Sequence, residues 1–108
     1  MIPLIENHLT EVSALCHQYG VQSLDVFGSA ANGAFDPACS DIDFLVAFNP
    51  QHTGSLFHRY FALQESLEQL FGRKVDLVST AGLSNPYFIA SVNRSRQPLY
   101  AAPHAQAA

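Results

Sequence analysis

An Asp-Ile-Asp triplet, Asp41 to Asp43, heads the apolar run Phe44 to Phe48, and Asn49-Pro50 closes it. A short run rich in Phe and Val, ended by a turn pair, reads as a buried strand over Asp41–Phe48. Two carboxylates at i and i+2 on a strand share one face, about 6–7 Å apart. A second apolar run, Lys74 to Ser79, carries a further carboxylate, Asp76. If that run is a neighbouring strand, three carboxylates meet on one face of a sheet. Charged side chains normally avoid such positions. At about 6 Å and an effective dielectric near 20, each pair repels by roughly 3 kcal/mol, and three pairs by about 8 kcal/mol. That rivals the whole stability of a small domain. Water screening, protonation or a bound cation must relieve it, and magnesium is the natural partner of hard oxygen ligands.

Upstream, Val26-Phe27 runs straight into Gly28-Ser29, with a second glycine, Gly33, five residues later. A strand that stops at glycine before a helical turn lets backbone approach a ligand closely. Amides at the start of such a turn favour an anion, and the Ser29 hydroxyl can add a donor. A Gly-Ser turn alone is usually just a strand-to-helix connection; beside an acidic strand it becomes a candidate phosphate cradle. The plain reading of Asp76 is a strand aspartate paired with Lys74, two residues earlier on the same face. In the chemical reading it binds metal and takes a proton from an attacking hydroxyl, while Lys74 or Arg73 meets phosphates.

The chain has 108 residues, enough for one domain, expected over residues 1–101 with a flexible tail at 102–108. Charged residues make up only 13%, about half the usual share, and the net charge of −4 leaves no basic stripe for gripping nucleic acid. Scarce charge points to a protein partner. Cys16 and Cys39 lack metal-ligand spacing and read as reduced thiols. The five histidines read as packed or surface residues, not ligands. No signal-peptide pattern and no membrane-length run is present, so a cytoplasmic protein without membrane contact is expected. G-x-S-x-G and Walker motifs are absent.

Along the chain, Ile5, Leu9, Val12, Leu15 and Tyr19 predict one amphipathic helix over Pro3–Tyr19, with Gly20 as its exit. Val21–Phe27 is strand-like, Ser29–Gly33 a short helical turn, and Phe35–Ser40 a loop. Ser55–Phe71 is a second long helix with the stripe Leu56, Tyr60, Leu63, Leu67, Leu70. Phe57, Phe61 and Phe71 widen that stripe beyond what one sheet needs, and a core helix is preferred over a partner surface. Lys74–Ser79 is a third strand. Asn85 or Ser84 caps a last helix from Pro86 to about Ser95, and Gln97–Ala101 returns as an edge strand. Helices alternating with strands give an α/β (α+β) class around a small sheet.

Gly28-Ser29, Gly33, Ser40-Asp41-Ile42-Asp43 and Val75-Asp76-Leu77 together resemble the minimal nucleotidyltransferases of the DNA polymerase beta superfamily, and residues 86–100 are similar to their closing helix and strand. The resemblance implies a mixed sheet with helices packed on one side, two magnesium ions and a nucleoside triphosphate. It implies that Asp41 and Asp43 are the metal-binding pair, Asp76 the third carboxylate, and Gly28 and Ser29 the phosphate turn. Stand-alone members are often antitoxins that transfer AMP from ATP to a tyrosine of an all-helical HEPN-type toxin, so ATP and such a partner, in a hetero-oligomer, are expected. The family usually carries arginine before the second glycine, where this chain has Asn32. Losing a guanidinium there weakens phosphate neutralisation at this spot, which either lowers activity or shifts the phosphate contact to Arg73 or Lys74. Two other functions stay open: an antitoxin acting by contact alone, and an antibiotic-type small-molecule nucleotidyltransferase.

Overall fold

The computed structural model describes residues 2–32, 41–50 and 54–102. The expected 35–40 loop, Gly33, Cys39, Ser40 and the tail beyond 102 lie outside the described residues. Four strands form a mixed sheet in the order β3-β2-β1-β4. They are β1 (Val21–Phe27), β2 (Ile42–Phe48), β3 (Val75–Ser79) and β4 (Gln97–Ala101). β1 is central and antiparallel to both β2 and β4, while β2 and β3 run parallel. A parallel pair needs a crossover, and α4 (Leu56–Phe71) supplies it.

The predicted N-terminal helix is two helices, α1 (Pro3–Glu6) and α2 (Leu9–Gln18). The break has a local cause. The His8 amide bonds back only three residues, to Ile5 O, and the His8 ring donates through Nδ1 to Leu4 O at 2.7 Å. The kink shifts the buried face: Ile5, Val12 and Cys16 are buried, and Leu9 turns outward. Burial pushes the Cys16 thiol up to about 12, an inert core sulfhydryl.

Period-two alternation places Ile42, Phe44 and Val46 on one sheet face, against Val12, Cys16, Leu63, Leu67 and Phe71 of α2 and α4. Phe44 stacks on Phe71 at 6.0 Å between ring centres. Burying a side chain such as Phe44 is worth about 1.5–3 kcal/mol. On the other face Phe27 and Leu45 meet Val92 of α5 (Pro86–Ser95). β2 is therefore covered on both faces over its middle, which is why it reads as a continuous apolar run.

Local chemistry sets the helix ends. Ser55 Oγ accepts from the His58 amide, and Gly72 closes α4 in the left-handed region at φ +66°. Asn85 Oδ1 accepts from the Tyr87 and Phe88 amides, with Pro86 in the first turn of α5. α3 (Ser29–Asn32) is a single turn directly after β1.

The predicted α4 stripe is rotated. Its buried residues are Arg59, Leu63, Leu67 and Phe71, whereas Leu56, Phe57 and Phe61 are exposed. The N-terminal half of α4 is thus not the core helix expected. Arg59 is held because it satisfies three carbonyls: Nε donates to Tyr19 O at 2.9 Å, and one terminal nitrogen to Gly20 O at 2.7 Å and Asn49 O at 3.1 Å. Its guanidinium lies 5.1 Å from the Phe48 ring centre.

Tyr60, Gln64 and Glu68, one turn apart on α4, cap the outer edge of β3. Glu68 Oε2 accepts from the Val75 amide at 3.2 Å, Gln64 Nε2 donates to Val75 O at 3.0 Å, and the Tyr60 hydroxyl donates to Leu77 O. A bare strand edge is thereby closed by side chains. Among the described residues no helix is long and apolar enough to cross a membrane.

Candidate active site

The register places Phe27, Asp43 and Asp76 in one row across three strands, Phe27 opposite Asp43 and Asp43 opposite Asp76. Directly opposed side chains on one face stand close enough to interact. Burial first, then the charge and hydrogen bonding of Asp76 and the charge of Asp41, push the Asp43 carboxyl from 3.8 up to about 6.

Asp41 stands apart from that pair. It precedes β2, and its carboxylate lies 3.9 Å from Lys74 Nζ, both groups well exposed. Lys74 thus pairs with Asp41 and not, as the plain sequence reading had it, with Asp76. An exposed pair of this kind contributes little stability and is easily exchanged. The three carboxylates form a tight pair with a third nearby, and among the described residues no three His, Cys, Asp or Glu side chains form a ready metal cage.

The donor set still fits a hard dication. Magnesium is commonly held by one or two carboxylates, with phosphate and water completing its shell. Asp43 and Asp76 stand opposite each other and offer carboxylate oxygens to such a cation, with Asp41 nearby.

Gly28 ends β1 at φ +72°, and a Cβ there would stand 2.7 Å from Asp43 Oδ2. Glycine is required twice over, by conformation and by the carboxylate beside it. The Gly28 amide donates to Ser95 Oγ at 2.9 Å, and Gly28 O accepts from the Ala31 amide. Sequence reasoning missed Ser95, which lies at the end of α5 and anchors the turn from across the sheet.

Beside the carboxylates opens a cleft of about 320 Å³. Phe27 and Phe88 wall it on one side and Tyr60 and Gln64 on the other, over Asp43, Asp76, Leu77 and Val78. Phe88 meets Phe27 edge-on at 6.1 Å. Gly28 follows Phe27 and abuts Asp43, two residues of that lining.

The nucleotidyltransferase domain family matches residues 10–99. This chain belongs to that family. It is a nucleotidyltransferase. Over 82 residues it is 38% identical to the protein adenylyltransferase MntA of Thermococcus cleftensis, covering 75% of this chain and 79% of that protein. It is 40% identical over 75 residues to MJ1379 of Methanocaldococcus jannaschii, a candidate protein adenylyltransferase, covering 69% and 73%. Among solved structures, a candidate minimal nucleotidyltransferase superposes with a TM-score of 0.73 at 34% identity, over 90% of this chain and 96% of that one. A tri-AMPylated Shewanella oneidensis HEPN toxin in complex with an MNT antitoxin matches at a TM-score of 0.62 and 19% identity, over 90% and 72%, a likeness of fold alone. The mixed sheet implied by the sequence resemblance is present, but the helices are not all on one side: α5 packs on the face opposite α2 and α4.

Proposed function

We propose that this nucleotidyltransferase moves AMP from ATP to a tyrosine hydroxyl of a HEPN-type toxin, in the cytoplasm, and so acts as that toxin's antitoxin. The observation that carries the reading is the grouping of Gly28, Asp43 and Asp76: a cleared turn against one carboxylate, and a second carboxylate opposite it. The curated relative named a protein adenylyltransferase supports the acceptor class, and the toxin–antitoxin neighbours, one of them with AMP-PNP, support the partner and ATP.

In this reading Ser29 and the amides of its turn hold the β- and γ-phosphates, and Lys74, released from Asp41, neutralises them. Asp41, Asp43 and Asp76 would hold two magnesium ions, which supply the positive charge that a transferring phosphoryl group needs. Asp76 accepts the proton of the tyrosine hydroxyl. As the tyrosyl oxygen bonds to the α-phosphorus, the bond from that phosphorus to the β-bridging oxygen breaks, and pyrophosphate leaves.

The test is AMP transfer to the toxin co-expressed with this protein, read by intact-protein mass spectrometry with ATP and magnesium. Wild type should add AMP, and the double variant Asp41→Asn, Asp43→Asn should fold but add none. Transfer by the double variant would refute the proposal. A second reading, neutralisation by contact alone, is favoured by the exposed Phe57 and Phe61. It gains if the double variant still silences the toxin.

A further inference from the structure

We infer that Ser95 is a positioning residue for nucleotide binding: its hydroxyl holds the Gly28-Ser29 turn in place beside Asp43. The assignment rests on that turn being the phosphate site proposed above.

The ladder between β1 and β2 ends at the pair Phe27–Asp43, so the Gly28 amide lies beyond it. A half-buried backbone N–H needs an acceptor. The chain supplies one from 67 residues away, Ser95 Oγ at 2.9 Å. On its other side the turn has no slack, since a Cβ on Gly28 would stand 2.7 Å from Asp43 Oδ2. Gly28 is thus bounded by a carboxylate on one side and tied by a hydroxyl on the other.

The tie comes from the helix on the carboxylate face. Alternation puts Phe27, Asp43 and Leu45 on one face of the sheet, and Phe27 and Leu45 pack there against Val92 of α5. Ser95 is the last residue of α5, and the two residues after it are engaged as well. Arg96 Nε lies 3.1 Å from Asp25 Oδ2 on β1, and Gln97 Nε2 donates to Ala31 O at 3.3 Å. Gly28 O accepts from the Ala31 amide at 3.0 Å, which closes the turn over residues 28–31. Ser95 and Gln97 therefore hold the two ends of the turn that carries Ser29, while Arg96 grips the strand before it.

Donors fixed before a ligand arrives lose less freedom on binding it. Gly28 released from Ser95 regains the wide conformational choice of a glycine. The cost then falls on nucleotide affinity, because Asp43 and Asp76 are held by the β2–β3 ladder and not by Ser95.

Nuclear magnetic resonance on the ¹⁵N-labelled chain, titrated with AMP-PNP and magnesium, tests the assignment. In the wild type the titration should shift the Gly28 and Ser29 amides. Ser95→Ala should speed solvent exchange of the Gly28 amide and weaken AMP-PNP about five- to tenfold, the scale of one hydrogen bond. Ser95→Thr keeps an acceptor at the same place and should restore both readouts. Arg96→Met is the control for general loosening: it removes the ion pair at the same junction and should leave Gly28 exchange and AMP-PNP affinity unchanged. Suppose AMP-PNP shifts Gly28 and Ser29, yet Ser95→Ala binds it as the wild type does, Ser95→Thr fails to recover the loss, or Arg96→Met loses as much. The role of Ser95 is then refuted and the phosphate site stands. If AMP-PNP leaves Gly28 and Ser29 unmoved in the wild type, the phosphate site itself fails and the role of Ser95 goes with it.

Discussion

Gly28 and Asp43 share one volume: the position of a Cβ on Gly28 lies 2.7 Å from Asp43 Oδ2. Gly28→Ala therefore forces the carboxylate aside and adds the left-handed strain of a non-glycine residue, about 1–2 kcal/mol. Chemical denaturation should report that loss, and AMP transfer should fall far more than stability does. Adding Asp43→Ala should return part of the stability, because the clash is gone, and none of the transfer. Full transfer by Gly28→Ala would mean that Asp43 need not stand where it does.

The raised Asp43 carboxyl makes stability depend on pH in a stated direction. Asp43 holds its proton to about 6 in the folded chain, against an ordinary value of 3.8. Between those values the folded state binds more protons than the unfolded state. The contribution is full below 3.8 and is lost as pH rises through 6. Without divalent cation, Tm should fall across that window, and Asp43→Asn should flatten the fall. Magnesium should raise Tm at pH 7, above the raised Asp43 value, and do little at pH 4. Equal stabilisation by magnesium at both pH values would contradict a site built on these carboxylates.

What could be read in advance was what is local. Gly72 as an exit, Asn85-Pro86 as an entrance, and the strand bounds around Asp43 depend on neighbouring residues, and the structure places them where the sequence does. The row of Asp43 and Asp76 was legible because alternation fixes a face and two apolar runs joined by a helix suggest parallel pairing. The Ser95–Gly28 contact was not, since it joins groups 67 residues apart and no periodicity encodes it. The His8 kink was hidden because a side chain competing for a backbone carbonyl leaves the apolar spacing intact. The burial of Arg59 was not legible because it depends on three carbonyls from two distant turns.

Arg59 should prove the most costly polar side chain to remove. Its three acceptors, on Tyr19, Gly20 and Asn49, tie the end of α2 to the end of β2. Hydrogen bonds from a charged group contribute about 1.5–3 kcal/mol each where they can be separated, and the abandoned carbonyls add desolvation cost. Arg59→Met should lower the free energy of unfolding by roughly 2–4 kcal/mol. Arg59→Lys should recover little, because an ammonium cannot span the fork. AMP transfer, measured well below Tm, should change little in either variant, since the cluster lies away from Asp76.

The edge of β3 offers the opposite case, a contact outside the cleft that should alter turnover more than stability. Glu68 Oε2 accepts from the Val75 amide, the residue immediately before Asp76. Without that acceptor, the start of β3 is free to fray and the Asp76 carboxylate loses part of its fixed position opposite Asp43. Glu68→Leu should speed hydrogen exchange at Val75 and lower kcat several-fold, with KM for ATP unchanged because the Gly28-Ser29 turn is untouched. Glu68→Gln keeps an oxygen acceptor at the same reach and should restore both readouts. A purely structural role would give Glu68→Leu and Glu68→Gln different Tm values with identical kcat. A kcat that follows Val75 exchange across the two variants ties strand-edge closure to the aim of Asp76.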